Sequence, residues 1–255
     1  MKHIIEERIA DFVGGYAMRK STLTRWQRPI VAYAGADDAL FEKLKDAVGP
    51  DHMMPRDFME DAATVITYFL PFEESVARSN IDGRFSSWEW GKAYVETNEM
   101  ILELNAYIKE LVEELGHRAA LVPTALNFTK DRLISDWSQR HVAYVAGLGK
   151  FGLNNMLITE KGCCGRIGSV VTNMRLEPTD RKEAEACLYK QSGSCKLCVG
   201  RCINDALFED GFDREKCYEM CVLNMDRLKE AGHADVCGKC TVGLPCSFKD
   251  PVGQP

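Results

Sequence analysis

The sequence has 255 residues, 45% of them apolar and 27% charged, which suffices for one large domain or one domain with a small appended module. The formal net charge of −6 disfavours a general nucleic-acid-binding surface. The N-terminal stretch has no apolar signal core and no run is long enough to cross a bilayer, so a cytoplasmic protein without a membrane partner is expected.

The first part reads as mixed helix and strand. Residues 37–48 place Leu40, Phe41, Leu44 and Val48 on one helical stripe, which Gly49 and Pro50 end. Residues 64–70 suit a buried strand stopped by Pro71. A long helix is predicted over 88–115, where Ile101, Leu104, Ile108, Leu111, Val112 and Leu115 recur at helical spacing and Gly116 caps the end. Trp88 and Trp90, at its start, read as core or pocket wall. Residues 119–122 read as a strand before Pro123, residues 137–145 as a helix, and residues 155–159 and 168–172 as a strand pair. From Glu183 onward short helices separate cysteine groups, and residues 250–255 read as an irregular tail.

Cysteine divides the chain. All 11 lie between Cys163 and Cys246, and an odd count without a secretion signal argues against a disulfide framework. Cys195, Cys198 and Cys202 form C-x2-C-x3-C, the latter part of the bacterial ferredoxin run. Ser192 stands where the first cysteine of that run would fall, so Cys187 is the replacement, and Ile203 stands in for the usual proline. Cys237 and Cys240 form a second C-x2-C, followed at a longer spacing by Cys246. Two 4Fe–4S clusters need eight thiolates, and Cys217 is the preferred eighth, with Cys221 one helical turn on as the fallback. The ferredoxin rule of crossed ligands groups Cys187, Cys195 and Cys198 with Cys246, and Cys217, Cys237 and Cys240 with Cys202. Two structural zinc sites could use the same C-x2-C pairs, but C-x2-C-x3-C before a small apolar helix is closer to a ferredoxin. Cys163 and Cys164 fall outside the pattern and read as small turn residues, with a redox role for exposed thiols as the alternative.

Gly147, Gly149 and Gly152 form G-x-G-x-x-G. A dinucleotide-binding reading requires a strand before and a helix after, and the order here is the reverse. The plain reading is a helix C-cap and tight turn.

A helix ending in Ala146-Gly147-Leu148-Gly149, then Phe151, Gly152 and Asn154, a strand containing Leu157-Ile158, a Gly168-Ser169 strand and two cysteine groups resembles the epoxyqueuosine reductases, a family related to the reductive dehalogenases. The resemblance covers about residues 135–246. It implies an α+β protein: a nitroreductase-like α/β domain that binds cobalamin (residues 1–182) and a small bacterial-ferredoxin-like module with two 4Fe–4S clusters (residues 183–255). It implies reductive chemistry at a low-potential Co(I) centre, for which the protein supplies binding, orientation and electrons. Carried over, Gly147, Leu148, Gly149, Gly152 and Asn154 would line the cobalamin, with Arg166 and Ser169 contributing. The family's acid before the glycine turn has no match at the expected spacing, although Asp131 and Asp136 lie upstream. The tRNA-modifying members are longer and carry a C-terminal repeat domain that helps grip tRNA. The expectation is therefore a shorter paralogue acting on a small-molecule or modified-nucleoside substrate, with tRNA the less favoured option.

Such a reduction needs a proton donor near the substrate. His141 and Tyr144, three apart on one helix face, and Asp136 are the candidates, beside the plain reading of a structural histidine. The alternatives to a cobalamin-dependent iron–sulfur reductase are a flavin-dependent iron–sulfur reductase on the same fold and an electron-transfer protein serving a partner. An external electron donor of ferredoxin or flavodoxin type is expected.

Overall fold

The computed structural model describes residues 1–123 and 125–253. In chain order the elements are α1 (Lys2–Lys20), β1 (Ile30–Gly35), α2 (Leu40–Ala47), α3 (Pro55–Phe58), β2 (Thr64–Pro71), α4 (Glu74–Ser79), α5 (Trp88–Glu114) and β3 (Ala119–Leu121). They continue with α6 (Gln139–Val145), β4 (Lys150–Phe151), β5 (Leu157–Ile158), β6 (Gly165–Thr172), α7 (Leu188–Ser192), α8 (Leu197–Gly200) and α9 (Arg214–Arg227).

Four strands form one sheet in the order β1-β2-β6-β3, and every neighbouring pair is antiparallel. All eight residues of β2 are buried because both faces of the sheet are covered. Side chains alternate along a strand. Ile66, Tyr68 and Leu70 therefore pack on one face with Ile5, Ile9, Met100, Leu104 and Ile108 of α1 and α5. Val65 and Phe69 pack on the other with Phe41 and Leu44 of α2, Trp137, and Val142 of α6. The result is an α+β arrangement of three layers.

The long helix runs almost as its periodicity predicts, and Gly116 follows it with φ +82°. The helix expected over 37–48 begins at Leu40, because Asp38 accepts a hydrogen bond from the Leu40 amide through its carboxylate and turns the chain there. The strand pair expected between residues 155–159 and 168–172 does not form. Leu157–Ile158 pair with Lys150–Phe151 across a tight turn in which Asn155 takes φ +57°, and β6 instead lies between β2 and β3. The choice is one of length: β2 offers β6 eight partners, from Thr64 opposite Thr172 to Pro71 opposite Gly165.

The cysteine-bearing part packs on the start of α5. Phe72, Val76, Trp90, Ala93, Cys164 and Val242 share a core, and Leu228, Ala231 and Ala234 form another that Val95 covers. The backbone amides of Cys163 and Cys164 donate to carbonyls of Cys246 and Ser247, tying the loop before β6 to the last cysteine. The tail expected to be irregular has no helix or strand through residue 253; Gln254 and Pro255 lie outside the described residues.

Candidate functional site

The cysteines line two adjoining cavities. Cys187, Cys195, Cys198 and Cys246 line the narrower one. Cys202, Cys217, Cys221, Cys237 and Cys240, with Cys163 at the edge, line the wider one. Asn154 lines both, and its Nδ2 donates to the Cys240 carbonyl at 2.9 Å. Local turns bring each set together: Cys198 sits in α8, Gly238 takes φ +72° between Cys237 and Cys240, and Cys217 and Cys221 lie one turn apart on α9.

Burial, with neighbouring thiols, holds Cys198, Cys237 and Cys240 away from ionisation. Burial, with Cys246, Cys187 and Cys195 nearby, pushes the Cys198 thiol up to about 11. Burial also pushes Cys237 up to about 11, with Cys217 and Cys202 adding repulsion, and raises Cys240 further. Cys217 moves the other way, drawn down to about 7 chiefly by a hydrogen bond from Cys221, whose own thiol is pushed far up, and secondarily by Arg140. Buried thiolates in such company need a cation to share their charge. A tetrahedral ion with Zn–S of about 2.3 Å requires sulfurs in mutual contact. Among the described residues no three His, Cys, Asp or Glu side chains converge in that way; the thiols line walls.

The wider cavity shares a wall with an open cleft of about 500 Å³. Tyr94, Met156, Gly165, Arg166 and Asp235 belong to both. Three arginines, Arg140, Arg166 and Arg214, reach the cleft, against one carboxylate, Asp235, which accepts the Tyr94 phenol at 2.7 Å. The Arg166 guanidinium lies 4.2 Å over the Tyr94 ring.

Four buried donors have no partner among the described residues: Trp90 Nε1, Gln139 Nε2, Arg166 Nε and Asn224 Nδ2. A donor buried without an acceptor costs about 1–3 kcal/mol. Gln139 and Arg166 line the cleft, and Trp90 lines the wider cysteine cavity. These donors fit groups rich in acceptors, such as the side-chain amides of a corrin in the cleft and the sulfurs of a cluster in the cavity.

The candidates from the sequence fall in several places. His141 lines the cleft, bonds Ser138 Oγ through Nδ1 at 2.7 Å and packs on Phe151. Burial, aided by Arg140, pulls it down to about 4, so it is neutral at pH 7. Tyr144 packs on the same Phe151, but lines a separate cavity together with Gly147, Leu148 and Gly149. Asp136 does not line the cleft; it is 5% exposed and accepts from Asn127 and Arg132, both at 2.8 Å. Gly147, with φ +78°, faces the Asp180–Arg181 backbone, and a side chain at Gly149 would strike the Ile158 carbonyl. Gly152 lines the narrower cysteine cavity. Ser169 is buried behind the cleft, where it accepts from Trp137 Nε1 at 3.0 Å and donates to Gln139 Oε1 at 2.8 Å, fixing the glutamine. Gln139, Arg140, Arg214 and Lys239 carried no signal in the sequence, because nothing in their local spacing distinguishes them from surface or core residues; Trp90, read from the sequence as core or pocket wall, is both.

No protein-family model matches the chain. Over 63% of its length it is 29% identical to an epoxyqueuosine reductase of Lactococcus garvieae, and over 55% it is 29% identical to one of Staphylococcus aureus. The matches span 43% and 33% of those proteins, so the chain covers less than half of each relative. The structure of an epoxyqueuosine reductase from Streptococcus thermophilus superposes on 97% of the chain and 66% of its own, with a TM-score of 0.59 and 16% identity. A crystal structure of an epoxyqueuosine reductase with an epoxyqueuosine-modified tRNA stem loop superposes on 95% of the chain and 66% of its own, with a TM-score of 0.58 and 18% identity. In sequence and in fold the chain is similar to the epoxyqueuosine reductases.

Proposed function

We propose that the protein is an iron–sulfur reductase that passes electrons through two 4Fe–4S clusters to a cobalamin in the cleft, for the reduction of a small molecule or modified nucleoside. One observation carries the reading: two sets of cysteines line adjoining cavities, and the second shares a wall with a cleft whose buried donors lack partners among the described residues. The similarity to the epoxyqueuosine reductases supports a reductase.

Cys187, Cys195, Cys198 and Cys246 would hold one cluster, and Cys202, Cys217, Cys237 and Cys240 the other. Cys221 then serves Cys217 as a hydrogen-bond donor. Bound there, the clusters supply one-electron transfer and the corrin a strongly reducing metal centre. Arg166 and Gln139 would hold and orient the cofactor as hydrogen-bond donors. Met156, Ile167 and Phe128 give the cleft an apolar side. His141, neutral and steadied by Ser138, offers a hydrogen bond to substrate at the mouth. In this reading residues 1–182 are a nitroreductase-like domain, residues 183–255 a ferredoxin-like module, and a one-electron carrier protein of ferredoxin or flavodoxin type is the donor.

Anaerobically purified protein should contain about eight iron and about eight acid-labile sulfide per chain, and should bind added cobalamin with a change in the corrin spectrum. Zinc without sulfide would end the reading. Iron and sulfide without cobalamin binding would leave a flavin-dependent reductase or an electron carrier.

A further inference from the structure

The surroundings of the two cysteine cavities differ in charge. Around Cys187, Cys195, Cys198 and Cys246 the lining is apolar: Leu153, Ile158, Leu188, Leu244 and Pro245 dominate, and no Lys, Arg, Asp or Glu takes part among the described residues. The wider cavity is lined by Arg166 and Lys239 against one carboxylate, Asp235.

Lys239 sits between two of that cavity's cysteines and is 1% exposed. Its Nζ donates to the carbonyls of Asn80 at 2.9 Å and Asp82 at 2.7 Å. Arg201, next to Cys202, donates to the intervening Ile81 carbonyl at 2.6 Å and to the Lys239 carbonyl at 3.2 Å. Three consecutive carbonyls thus hold two cationic side chains beside the cysteine loops.

Trp90 adds a directed donor. It is 5% exposed, in the first turn of α5, and its indole N–H has no acceptor among the described residues. The ring lies against Gly238, where a β-carbon would come within 2.4 Å of Nε1. The loop between Cys237 and Cys240 is therefore shaped to the indole, and Trp90 lines the same cavity as these cysteines.

We propose that Trp90, through an N–H···S bond, and Lys239, through its charge, hold the cluster bound by Cys202, Cys217, Cys237 and Cys240 at a higher reduction potential than the other. The inference rests on the two-cluster reading above. Reduction adds negative charge to a cluster, which a nearby cation and a hydrogen bond to sulfur stabilise and an apolar shell does not. One electron from the carrier protein would reduce the apolar-shelled cluster, then move to its neighbour, reoxidising the first. The electron thus comes to rest beside the wall of Tyr94 and Arg166 that the cleft shares.

The test is an anaerobic redox titration followed by electron paramagnetic resonance on protein carrying both clusters. Two reduced-cluster signals should develop at separate potentials, and the lower one should be missing in Cys198→Ala. Trp90→Phe keeps the ring and removes the donor; Lys239→Met keeps the length and removes the charge. Each should shift the higher midpoint down and leave the lower one in place. Should Lys239→Met fail to load, Trp90→Phe decides. A common midpoint in the parent protein, an unmoved higher signal, or a shift of the lower signal would overturn the proposal. Protein without iron and sulfide would overturn the two-cluster reading itself, whereas two clusters without cobalamin binding would leave the potential order to stand or fall alone.

Discussion

Asn154 donates from Nδ2 to the backbone carbonyl of Cys240 at 2.9 Å, while its Oδ1 accepts the Met156 amide at 3.2 Å. One buried side chain thus joins the β4–β5 turn to the loop of the second cysteine pair, at the boundary of both cavities. Asn154→Ala should cost about 1–3 kcal/mol, because it leaves a buried carbonyl unmatched. The denaturation midpoint of the cluster-loaded protein checks this, and the iron content of the same variant should fall.

Asp136 and Gln139 make a contrasting pair. Asp136 is spent on Arg132 and Asn127, so Asp136→Asn should lower stability by about 1–3 kcal/mol and leave cobalamin binding near that of the parent. Gln139→Leu removes a donor that has no partner among the described residues, so stability should stay within about 1 kcal/mol while cobalamin binding weakens. Unfolding curves and spectroscopic titration on both variants separate the two roles. Loss of cofactor binding in the Asp136 variant alone would return that residue to the active site.

Ser169 supports the cleft from behind. Ser169→Ala strips Trp137 Nε1 of its acceptor among the described residues and releases Gln139. The expected cost is about 1–3 kcal/mol, with weaker cobalamin binding as well. Ser169→Cys should recover part of the stability, since a thiol is a weak acceptor.

His141 predicts a pH dependence. Its folded value is about 4 because burial, with Arg140 and Arg214 nearby, opposes a second positive charge, and the unfolded value is about 6.5. Between these the unfolded chain binds more protons, so stability is full above about 6.5 and is lost as pH falls toward 4. His52, buried and also lowered, acts in the same direction. Urea midpoints at pH 7 and pH 5 should differ by less in His141→Gln than in the parent; an unchanged difference would show the histidine to be uninvolved.

Local chemistry determined what the sequence could carry alone. Thiolates that wrap one cluster must lie on short loops, so Cys195, Cys198, Cys202, Cys237 and Cys240 announce themselves by spacing. The long α5 declares itself by periodicity, and β2 by an apolar run stopped at Pro71. The glycines of the turn at 147–152 were equally visible, but their use was not: Gly147 and Gly149 are required by backbone approach to Asp180, Arg181 and Ile158, and they lie away from the cleft. His141 and Tyr144 do share a helix face, yet Phe151 of β4 comes between and sends them to different cavities.

Tertiary structure alone decided the rest. Only the antiparallel pairing of β6 with β2 and β3 brings Arg166 and Ser169 beside Gln139 of α6, and only the packing of the cysteine loops on α5 brings Trp90 to Gly238 and Lys239 to the carbonyls at 80–82. These residues come together across 27 to more than 150 positions of chain, where no short-range pattern reaches. The cysteine groups were legible because their spacing is local. The charges and donors around them were not, because an electrostatic environment is set by whatever the fold packs nearby.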